Sequence, residues 1–275
     1  MPIPFRKGHG TQNDFVLLPD PDGDLDLTED RVRALCDRRR GLGADGVLRV
    51  VRTKAVPDAP AELEGDTWFM DYRNADGSVA EMCGNGVRVF ARHLAEHGLV
   101  GAEEFPVGTR AGARTAIVHP DGDVTVGMGR VRLLDPSSAT VGGRTLTGLG
   151  VDVGNPHLVC ATDDLDALDL TVQPGYNPMF FPHGVNIEFM VPAGAGAVRM
   201  RVHERGVGET RSCGTGTVAA AAVALHDAGR AEGEVTVHIP GGTVRVAIAD
   251  GAATLTGPAE FVADGVLSDA WWSAL

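Results

Sequence analysis

Apolar positions along the chain fall mostly into short, β-branched runs bounded by Gly, Pro or Asp, a pattern typical of strands. We predict strands at 16–18, 47–52, 67–72, 114–118, 124–127, 158–161, 187–191, 197–202, 235–239 and 243–248. Helix-like windows are few. We predict helices at 28–40, with Thr28 as N-cap and Gly41 as the stop, at 84–97 and at 214–228. The pattern therefore indicates an α+β protein dominated by strands.

The two halves of the chain carry a weak internal repeat in the same order. Cys83-Gly-Asn-Gly opens one predicted helix and Cys213-Gly-Thr-Gly opens another, and a hairpin-like pattern follows each, at 118–126 and 237–246. We therefore predict two pseudo-symmetric α+β domains, each a central helix wrapped by mostly antiparallel strands. The expected bounds are 1–135 and 136–275, with the chain free to cross back near its C-terminus. We expect the active site in the interdomain cleft.

Composition narrows the class of function. The chain has 275 residues and a net charge of -13, so a nucleic-acid backbone or an anionic membrane surface would be repelled. No apolar run is long enough for a secretion signal or a membrane span, which predicts a cytoplasmic protein. Lysine occurs at Lys7 and Lys54 alone, and neither lies in a phosphate-binding loop, which disfavours pyridoxal phosphate.

The cysteines are the strongest candidates for chemistry. Cys83 and Cys213 each precede a helix in a glycine-rich turn, where unsatisfied amides and the helix dipole favour a thiolate and a bound carboxylate. Two such cysteines on opposite faces of one carbon could act as the base and the acid of a racemase. The alternative is that small cysteines at tight turns merely pack, which is how we interpret Cys36 and Cys160.

Several segments carry a recognisable signature. They are His9-Gly-Thr-Gln-Asn-Asp-Phe15, Gly41-Leu-Gly-Ala-Asp-Gly46, Asn74-Ala-Asp-Gly-Ser78, Met82-Cys-Gly-Asn-Gly86, Gly154-Asn-Pro-His157, Asn186-Ile-Glu188, Glu204-Arg-Gly-Val-Gly208 and Ser212-Cys-Gly-Thr-Gly216. In these segments, and along nearly its whole length, the chain resembles the diaminopimelate epimerases, a family of cofactor-independent amino-acid epimerases. The resemblance implies conversion of L,L- to meso-2,6-diaminopimelate on the route to lysine and peptidoglycan. It also implies a homodimer that needs neither metal nor cofactor.

The resemblance further implies roles for individual residues. Cys83 and Cys213 would be the acid/base pair, with His157 supporting a cysteine and Glu204 on the reacting amino group. The reacting carboxylate would be held by the backbone amides of Gly84, Asn85, Gly214 and Thr215. The other residues implied around the substrate are Asn13, Asn74, Asn155, Asn186 and Arg205. A guanidinium fork and several side-chain amides suit a substrate that is zwitterionic at both ends.

The chain differs from the family pattern at one position, and its two candidate cysteines suggest sensitivity to oxidation. At Gly46 the chain departs from the family pattern, because some members of the family carry a glutamine there that approaches the substrate. Two facing cysteines could also form a disulfide once the site is empty. We therefore predict that oxidation inactivates the protein and that a reductant restores it.

Other functions stay open at this point. A related two-cysteine racemase could act on another amino acid, such as histidine or proline, and the cleft could bind an amino acid without catalysis. His93-Leu-Ala-Glu-His97 matches a zinc-protease pattern through His93, Glu96 and His97, although no further ligand stands out downstream. Gly41-x-Gly-x-x-Gly46 matches a dinucleotide fingerprint but closes a helix instead of linking a strand to one, which makes it weak.

Overall fold

The computed structural model describes residues 2–275, and over that range the chain is strand-rich with few helices. The first strands are β1 (Ile3–Gly10), β2 (Asn13–Pro19), β3 (Gly46–Arg52), β4 (Trp68–Asn74), β5 (Phe105–Thr109), β6 (Gly112–Val118), β7 (Asp123–Arg130), β8 (Arg132–Val141) and β9 (Arg144–Asp152). The remaining strands are β10 (Pro156–Ala161), β11 (Gly175–Tyr176), β12 (Asn186–Pro192), β13 (Ala197–Glu204), β14 (Gly208–Thr210), β15 (Gly233–Ile239), β16 (Gly242–Ala249), β17 (Ala252–Pro258) and β18 (Glu260–Leu267). The helices are α1 (Glu29–Cys36), α2 (Gly84–Glu96), α3 (Gly214–Asp227) and α4 (Asp269–Ser273), with a 3-10 turn at Thr53–Ala55. The α+β class predicted from the sequence is confirmed at this level.

The chain divides into two compact units. Unit 1 runs to Val126 and includes Pro258–Leu275, and unit 2 is Gly127–Gly257. This division differs from the expected halves 1–135 and 136–275, although the sequence allowed the chain to cross back near its end. The physical reason is that β18 pairs with β1 along its length, so its hydrogen bonds hold the C-terminal segment in unit 1.

Unit 1 combines antiparallel and parallel strand pairs. β1 lies between β18 and β2 and is antiparallel to both. β2 then pairs in parallel with β3, β3 pairs antiparallel with β4, and β4 pairs in parallel with β5. An antiparallel meander of β5, β6 and β7 completes the order.

Unit 2 repeats this order. β9 lies between β8 and β10 and is antiparallel to both. β10 pairs in parallel with β12, β12 antiparallel with β13, and β13 in parallel with β15. β15, β16 and β17 then form the antiparallel meander, while the short β11 and β14 pair with β8 and β13. The internal repeat predicted from the sequence is thus present as a repeat of strand order, with parallel pairs at matching places.

Each of the two longer helices packs on the strands of its own unit. α2 contacts β1, β2, β3, β4 and β6, and α3 contacts β9, β10, β12, β13, β15 and β16. In α3 the run Ala219–Ala222 is buried, which suits a helix with no broad polar face. Within residues 2–275 no helix combines the length and the apolar character that spanning a bilayer requires.

Predicted helix bounds agree with the structure at α2 and α3 to within one residue at the C-terminal ends. The prediction for α1 was wrong at its end, which lies at Cys36 and not at residue 40. Thr28 is the N-cap, as predicted, and its Oγ1 accepts a hydrogen bond from the Arg31 amide. Asp37 then ends the helix, because its Oδ1 accepts the amides of Arg39 and Arg40 at 2.8 and 2.9 Å in place of helical bonds.

Several strands were missed by the sequence interpretation, among them β1, β8 and β18. These strands contain Gly, Pro or Asp, which are depleted in strands because they pack poorly on a pleated surface. Pairing with distant strands overrides this local preference. The helix α4 was also missed because it is only one turn long, with Ser268 as its cap.

A substitution at Gly41 tests the backbone packing that follows the end of α1. A Cβ at Gly41 would lie 1.9 Å from the Ala34 carbonyl oxygen and 2.8 Å from that of Leu35, so Gly41→Ala must displace backbone. We expect G41A to lower the free energy of unfolding by about 1 to 3 kcal/mol, measured by urea denaturation. Gly101→Ala is the matched control because nothing lies within 4 Å of that Cβ position. Equal stabilities of G41A and G101A would contradict the packing described here.

Candidate active site

The first predicted catalytic cysteine lies at a helix start in unit 1. Cys83 is the N-cap of α2, with extended backbone angles, and its Sγ accepts a hydrogen bond from the Gly86 amide at 3.4 Å. A sulfur therefore occupies the place where Ser, Thr or Asp oxygens usually cap a helix. The sulfur lies against the positive end of the helix dipole, beside the amides of Gly84 and Asn85.

Two of the predicted asparagines surround this cysteine. The Sγ of Cys83 lies 3.6 Å from Oδ1 of Asn13, and Nδ2 of Asn85 donates to the same oxygen at 3.2 Å. The Asn13 Nδ2 donates to Oδ2 of Asp45 at 2.9 Å, which fixes the orientation of the Asn13 amide. The structure therefore brings Asn13, Cys83 and Asn85 together.

Thr11 and Arg88 support this cluster, and the sequence interpretation missed both. Arg88 is fully buried on α2, and its Nη2 donates to Oγ1 of Thr11 and to Oδ1 of Asn85, each at 3.0 Å. Burial lowers the pKa of the Arg88 guanidinium to about 10. Thr11 takes a left-handed φ of 51° in the β1–β2 turn, which is unusual for a β-branched residue. The sequence signal that could have identified Arg88 is a single arginine among apolar residues on a helix.

Asn74 and Gly46 lie next to Asp45, the partner of Asn13: Gly46 follows Asp45 in the chain, and the Ala75 amide donates to the Asp45 carbonyl at 3.1 Å. Asn74 ends β4 opposite Gly46 of β3, and its Nδ2 donates to Oγ of Ser78 at 3.0 Å. A Cβ at Gly46 would lie 2.5 Å from the Arg73 carbonyl oxygen and 2.6 Å from the Tyr72 ring. The glycine is therefore required by the local strand packing, and a glutamine at this position would need the strands to move.

The second predicted catalytic cysteine has the same local geometry in unit 2. Cys213 is the N-cap of α3, and its Sγ accepts from the Gly216 amide at 3.4 Å and lies 3.6 Å from Oγ1 of Thr215. The thiol is buried. Burial raises the pKa of Cys213 well above its ordinary value, and the negative charges of Glu204 and Glu188 raise it further.

A buried histidine lies beside this cysteine. His157 Nδ1 is 2.7 Å from Oε1 of Glu188, and both side chains are 0% exposed. The other ring nitrogen, Nε2, lies 2.9 Å from Oδ1 of Asn155, and the Asn155 Nδ2 donates to Oγ1 of Thr215 at 3.5 Å. The structure therefore brings His157, Asn155 and Thr215 together and adds Glu188, to which the sequence interpretation gave no role. The sequence signal that could have identified Glu188 is a single acidic residue inside the apolar run of β12.

The remaining predicted residues of unit 2 form one connected group. Asn186 Oδ1 accepts from the Arg205 backbone amide at 2.9 Å, and its Nδ2 donates to the Pro156 carbonyl at 3.4 Å. The guanidinium of Arg205 is exposed, and its Nη1 donates to the His183 carbonyl at 2.8 Å. Asn155 and the 180–184 loop line a cavity of about 630 Å³.

Glu204 ends β13, and its carboxyl interacts with the thiol of Cys213. Burial raises the pKa of the Glu204 carboxyl, against the lowering effect of the Thr210 hydroxyl, which donates to Oε1 of Glu204. The charge of Glu188 also raises this pKa. Two carboxyl groups and a thiol thus share a region that resists the addition of negative charge.

The other cysteines lie in apolar clusters, as predicted. Cys36 packs with Val32 and Leu35 of α1, and Cys160 packs with Leu158 and Ile187. Burial raises the pKa of each of these thiols to about 12. Both cysteines are buried thiols.

The residues that match the zinc-protease pattern on α2 take part in packing and in ion pairs. His93 is buried, and burial lowers its pKa to about 4. The Glu96 carboxylate accepts from Arg92 and pairs with Arg6, each at 2.7 Å. Within residues 2–275 no three His, Cys, Asp or Glu side chains are grouped in a way that could hold a metal ion.

Solved structures share this fold. A phenazine biosynthesis protein of the PhzF family from Bacillus anthracis matches with a TM-score of 0.68 and 15% identity, covering 98% of this chain and 99% of that one. A hydroxyproline epimerase from Agrobacterium vitis, solved with bound trans-4-hydroxy-L-proline, matches with a TM-score of 0.65 and 18% identity, covering 97% of this chain and 92% of that one. The fold is thus one found in amino-acid epimerases and PhzF proteins.

Sequence relatives define the family within that class. The family model for diaminopimelate epimerase matches residues 5–134 and 150–262. A diaminopimelate epimerase from Rhodococcus erythropolis is 59% identical over 98% of each chain. The enzyme of that name from Thermobifida fusca is 57% identical over 95% of this chain and 96% of its own. The chain belongs to the diaminopimelate epimerase family and is an isomerase.

The environments of the cysteines predict their reactivity. Thiols with a pKa of about 12, such as Cys36 and Cys160, are almost entirely protonated at pH 8, and Cys213 is buried with a raised pKa. We expect iodoacetamide to modify the half-buried Cys83 at least about tenfold faster than the other thiols, measured by peptide mass spectrometry. In urea all four should react alike. Equal rates in the folded protein would show that these burial differences do not control reactivity.

Proposed function

We propose that this protein epimerises L,L- to meso-2,6-diaminopimelate with Cys83 and Cys213 as its acid/base pair, without metal or cofactor. The observation that carries the proposal is the repeated N-cap geometry, in which each sulfur accepts the amide of the third helical residue at 3.4 Å. Membership of the diaminopimelate epimerase family supports the substrate. The route to lysine and peptidoglycan is the corresponding metabolic context.

The architecture we propose for the site has α2 and α3 as the central helices of two domains, with the active site in a cleft between them. One cysteine would then lie on each side of the substrate α-carbon. Amides of Gly84, Asn85, Gly214 and Thr215 would hold the reacting carboxylate, since first-turn amides have no helical partners. Preorganised amides stabilise the charge that develops on that carboxylate.

The proposed chemistry exchanges one proton for another. The thiolate of one cysteine removes the α-hydrogen as a proton, an S–H bond forms, and the C–H electron pair passes into the carboxylate. The thiol of the other cysteine then delivers its proton to the opposite face of the carbon. One S–H bond has formed and one has broken, so the two cysteines finish with exchanged protonation states. The roles reverse for the reverse reaction.

The binding residues fit a substrate with charges at both ends. Glu204 would accept the reacting amino group, and Arg205 would bind the distal carboxylate through its planar fork. Amide side chains supply both donors and acceptors for the distal zwitterion. The proposed set of amide side chains is Asn13, Asn74, Asn155 and Asn186. The homodimer, the cytoplasmic location and the lack of a nucleic-acid partner stay predictions from the sequence.

The two-cysteine proposal predicts the effect of removing either thiol. Cys83→Ala and Cys213→Ala should each reduce epimerisation at least about a thousandfold, because each variant lacks the acid or the base. The assay incubates reduced protein with L,L-diaminopimelate and a chelator in D2O. It follows α-hydrogen exchange by NMR and meso product by chiral chromatography.

Cys36→Ala is the matched control and should retain activity, since Cys36 lies in an apolar cluster. Rapid epimerisation by C83A or C213A would refute the proposed pair. If the reduced wild-type protein neither exchanges nor epimerises diaminopimelate, the substrate assignment fails and other amino acids should be screened.

A second prediction concerns the distal carboxylate. Arg205→Lys keeps the charge but loses the planar two-donor fork, so we expect kcat/KM for diaminopimelate to fall about 10- to 100-fold, mostly through KM. Arg199→Lys on β13 is the control, because Arg199 is paired with Asp166 at the surface. Unchanged kinetics in R205K would remove Arg205 from the proposed substrate contacts.

A further inference from the structure

The repeated strand order allows the two units to be compared residue by residue. In unit 1, Phe15 of β2 pairs with Gly46 of β3, and in unit 2, His157 of β10 pairs with Asn186 of β12. These parallel pairs occupy the same place in the two strand orders. His157 in unit 2 therefore corresponds to the buried, apolar Phe15 in unit 1.

The same comparison places an acid where unit 1 has a leucine. Leu48 and Glu188 each stand two residues further along β3 and β12. A Cβ at Gly86 would lie 3.4 Å from Leu48, and a Cβ at Gly216 would lie 2.7 Å from Oε1 of Glu188. Both side chains thus lie beneath the third residue of a cysteine-capped helix. The fold accepts an apolar pair at this place in unit 1, so packing alone does not demand the acid in unit 2.

The Glu188 carboxylate is also incompletely satisfied. It is 0% exposed, and only Oε1 has a partner, Nδ1 of His157 at 2.7 Å. Among the described residues Oε2 has no hydrogen-bond partner. A buried carboxylate oxygen without a donor costs free energy, and such groups are retained mainly where they serve the chemistry.

We propose that Glu188 is a positioning residue of the epimerisation reaction, holding the His157 ring against Asn155 and keeping a buried carboxylate beneath the first turn of α3. The inference rests on the proposed function, since it gives Glu188 a part in that reaction. Glu188 acts through a chain of three contacts: Glu188 to His157, His157 to Asn155, and Asn155 to Thr215 beside Cys213.

The carboxylate also contributes to the raised pKa of the second cysteine. Burial is the largest cause of that rise, followed by the negative charge of Glu204 and then that of Glu188. These effects favour the protonated thiol of Cys213, which is the form that can act as the acid. The other charged or titratable side chains on strands packed against α3 are Arg144, Asp152, His157, Cys160, Arg199, Arg201, His203, Glu234, His238 and Arg245.

The test is Glu188→Gln, which removes the charge and keeps the size of the side chain. We expect the pH midpoint for alkylation of Cys213 to fall by about one unit or more, because a like charge has been removed. Iodoacetamide and peptide mass spectrometry give the midpoint. Glu234→Gln is the matched control, an exposed glutamate on β15 of the same unit, and should leave the midpoint unchanged. A folded E188Q protein with the wild-type midpoint would overturn the proposal.

Turnover supplies a second readout. With diaminopimelate, E188Q should lower kcat about tenfold or more while KM changes less than about threefold, because the acid/base group and not the distal binding is affected. A change confined to KM would contradict a role of Glu188 in the proton-transfer step. Wild-type protein that fails to epimerise diaminopimelate would instead refute the proposed function, while the alkylation arm still tests Glu188.

A double variant based on unit 1 controls for the possibility that a variant fails to fold. His157→Phe with Glu188→Leu installs the Phe15–Leu48 pair of unit 1, and apolar replacements of buried polar pairs are often neutral or stabilising. This double variant should fold and show the same lowered midpoint for Cys213, and an unchanged midpoint would overturn the proposal. In the wild-type protein a Cys213 midpoint at or below the ordinary thiol value of about 8.5 would overturn it as well.

Discussion

A helix begins with amides that have no partner inside the helix, and the candidate site depends on how two helices meet that constraint. In α2 and α3 a cysteine sulfur takes the amide of the third helical residue, at 3.4 Å in each case. The sulfur is thereby fixed at the positive end of the helix, and the neighbouring amides stay available for an anion. Glycine at the third position is part of the device, because a Cβ at Gly216 would collide with the Glu188 carboxylate. The cysteine cap, the glycine at the third helical position and the proposed carboxylate site thus follow from the same local geometry at the helix start.

The two units use this geometry with different surroundings. Beneath the first turn of α2 the strands present Leu48 and Met70 against Gly86, and the buried guanidinium of Arg88 interacts with Cys83. Beneath Cys213 lie two carboxyl groups and a histidine. The repeated backbone thus gives two cysteines that are alike in their N-cap geometry but differ in the side chains packed beneath them.

Support for Asn13 shows how local strain is compensated by distant contacts. The β1–β2 turn holds Thr11 at a φ of 51°, a conformation that costs a β-branched residue free energy. Arg88 bonds both Thr11 and Asn85, so the same buried cation steadies the turn and the helix start. Asn13 follows this turn, and its amide is oriented by donating to Asp45 and accepting from Asn85. Fixed donors of this kind require little reorganisation during a reaction.

Sequence alone determined the starts of α1, α2 and α3, the pair of N-cap cysteines, the internal repeat and the family. These features are local, because a cap, a glycine and a stop residue act within one or two turns of chain. Tertiary structure decided the rest. The pairing of β18 with β1 assigned the C-terminal segment to unit 1, and strand register placed Glu188 beneath Gly216. Arg88 reached Thr11 across 77 positions of sequence. Each of these contacts joins residues on separate strands or helices, and only the register and packing of the folded chain specify which residues meet.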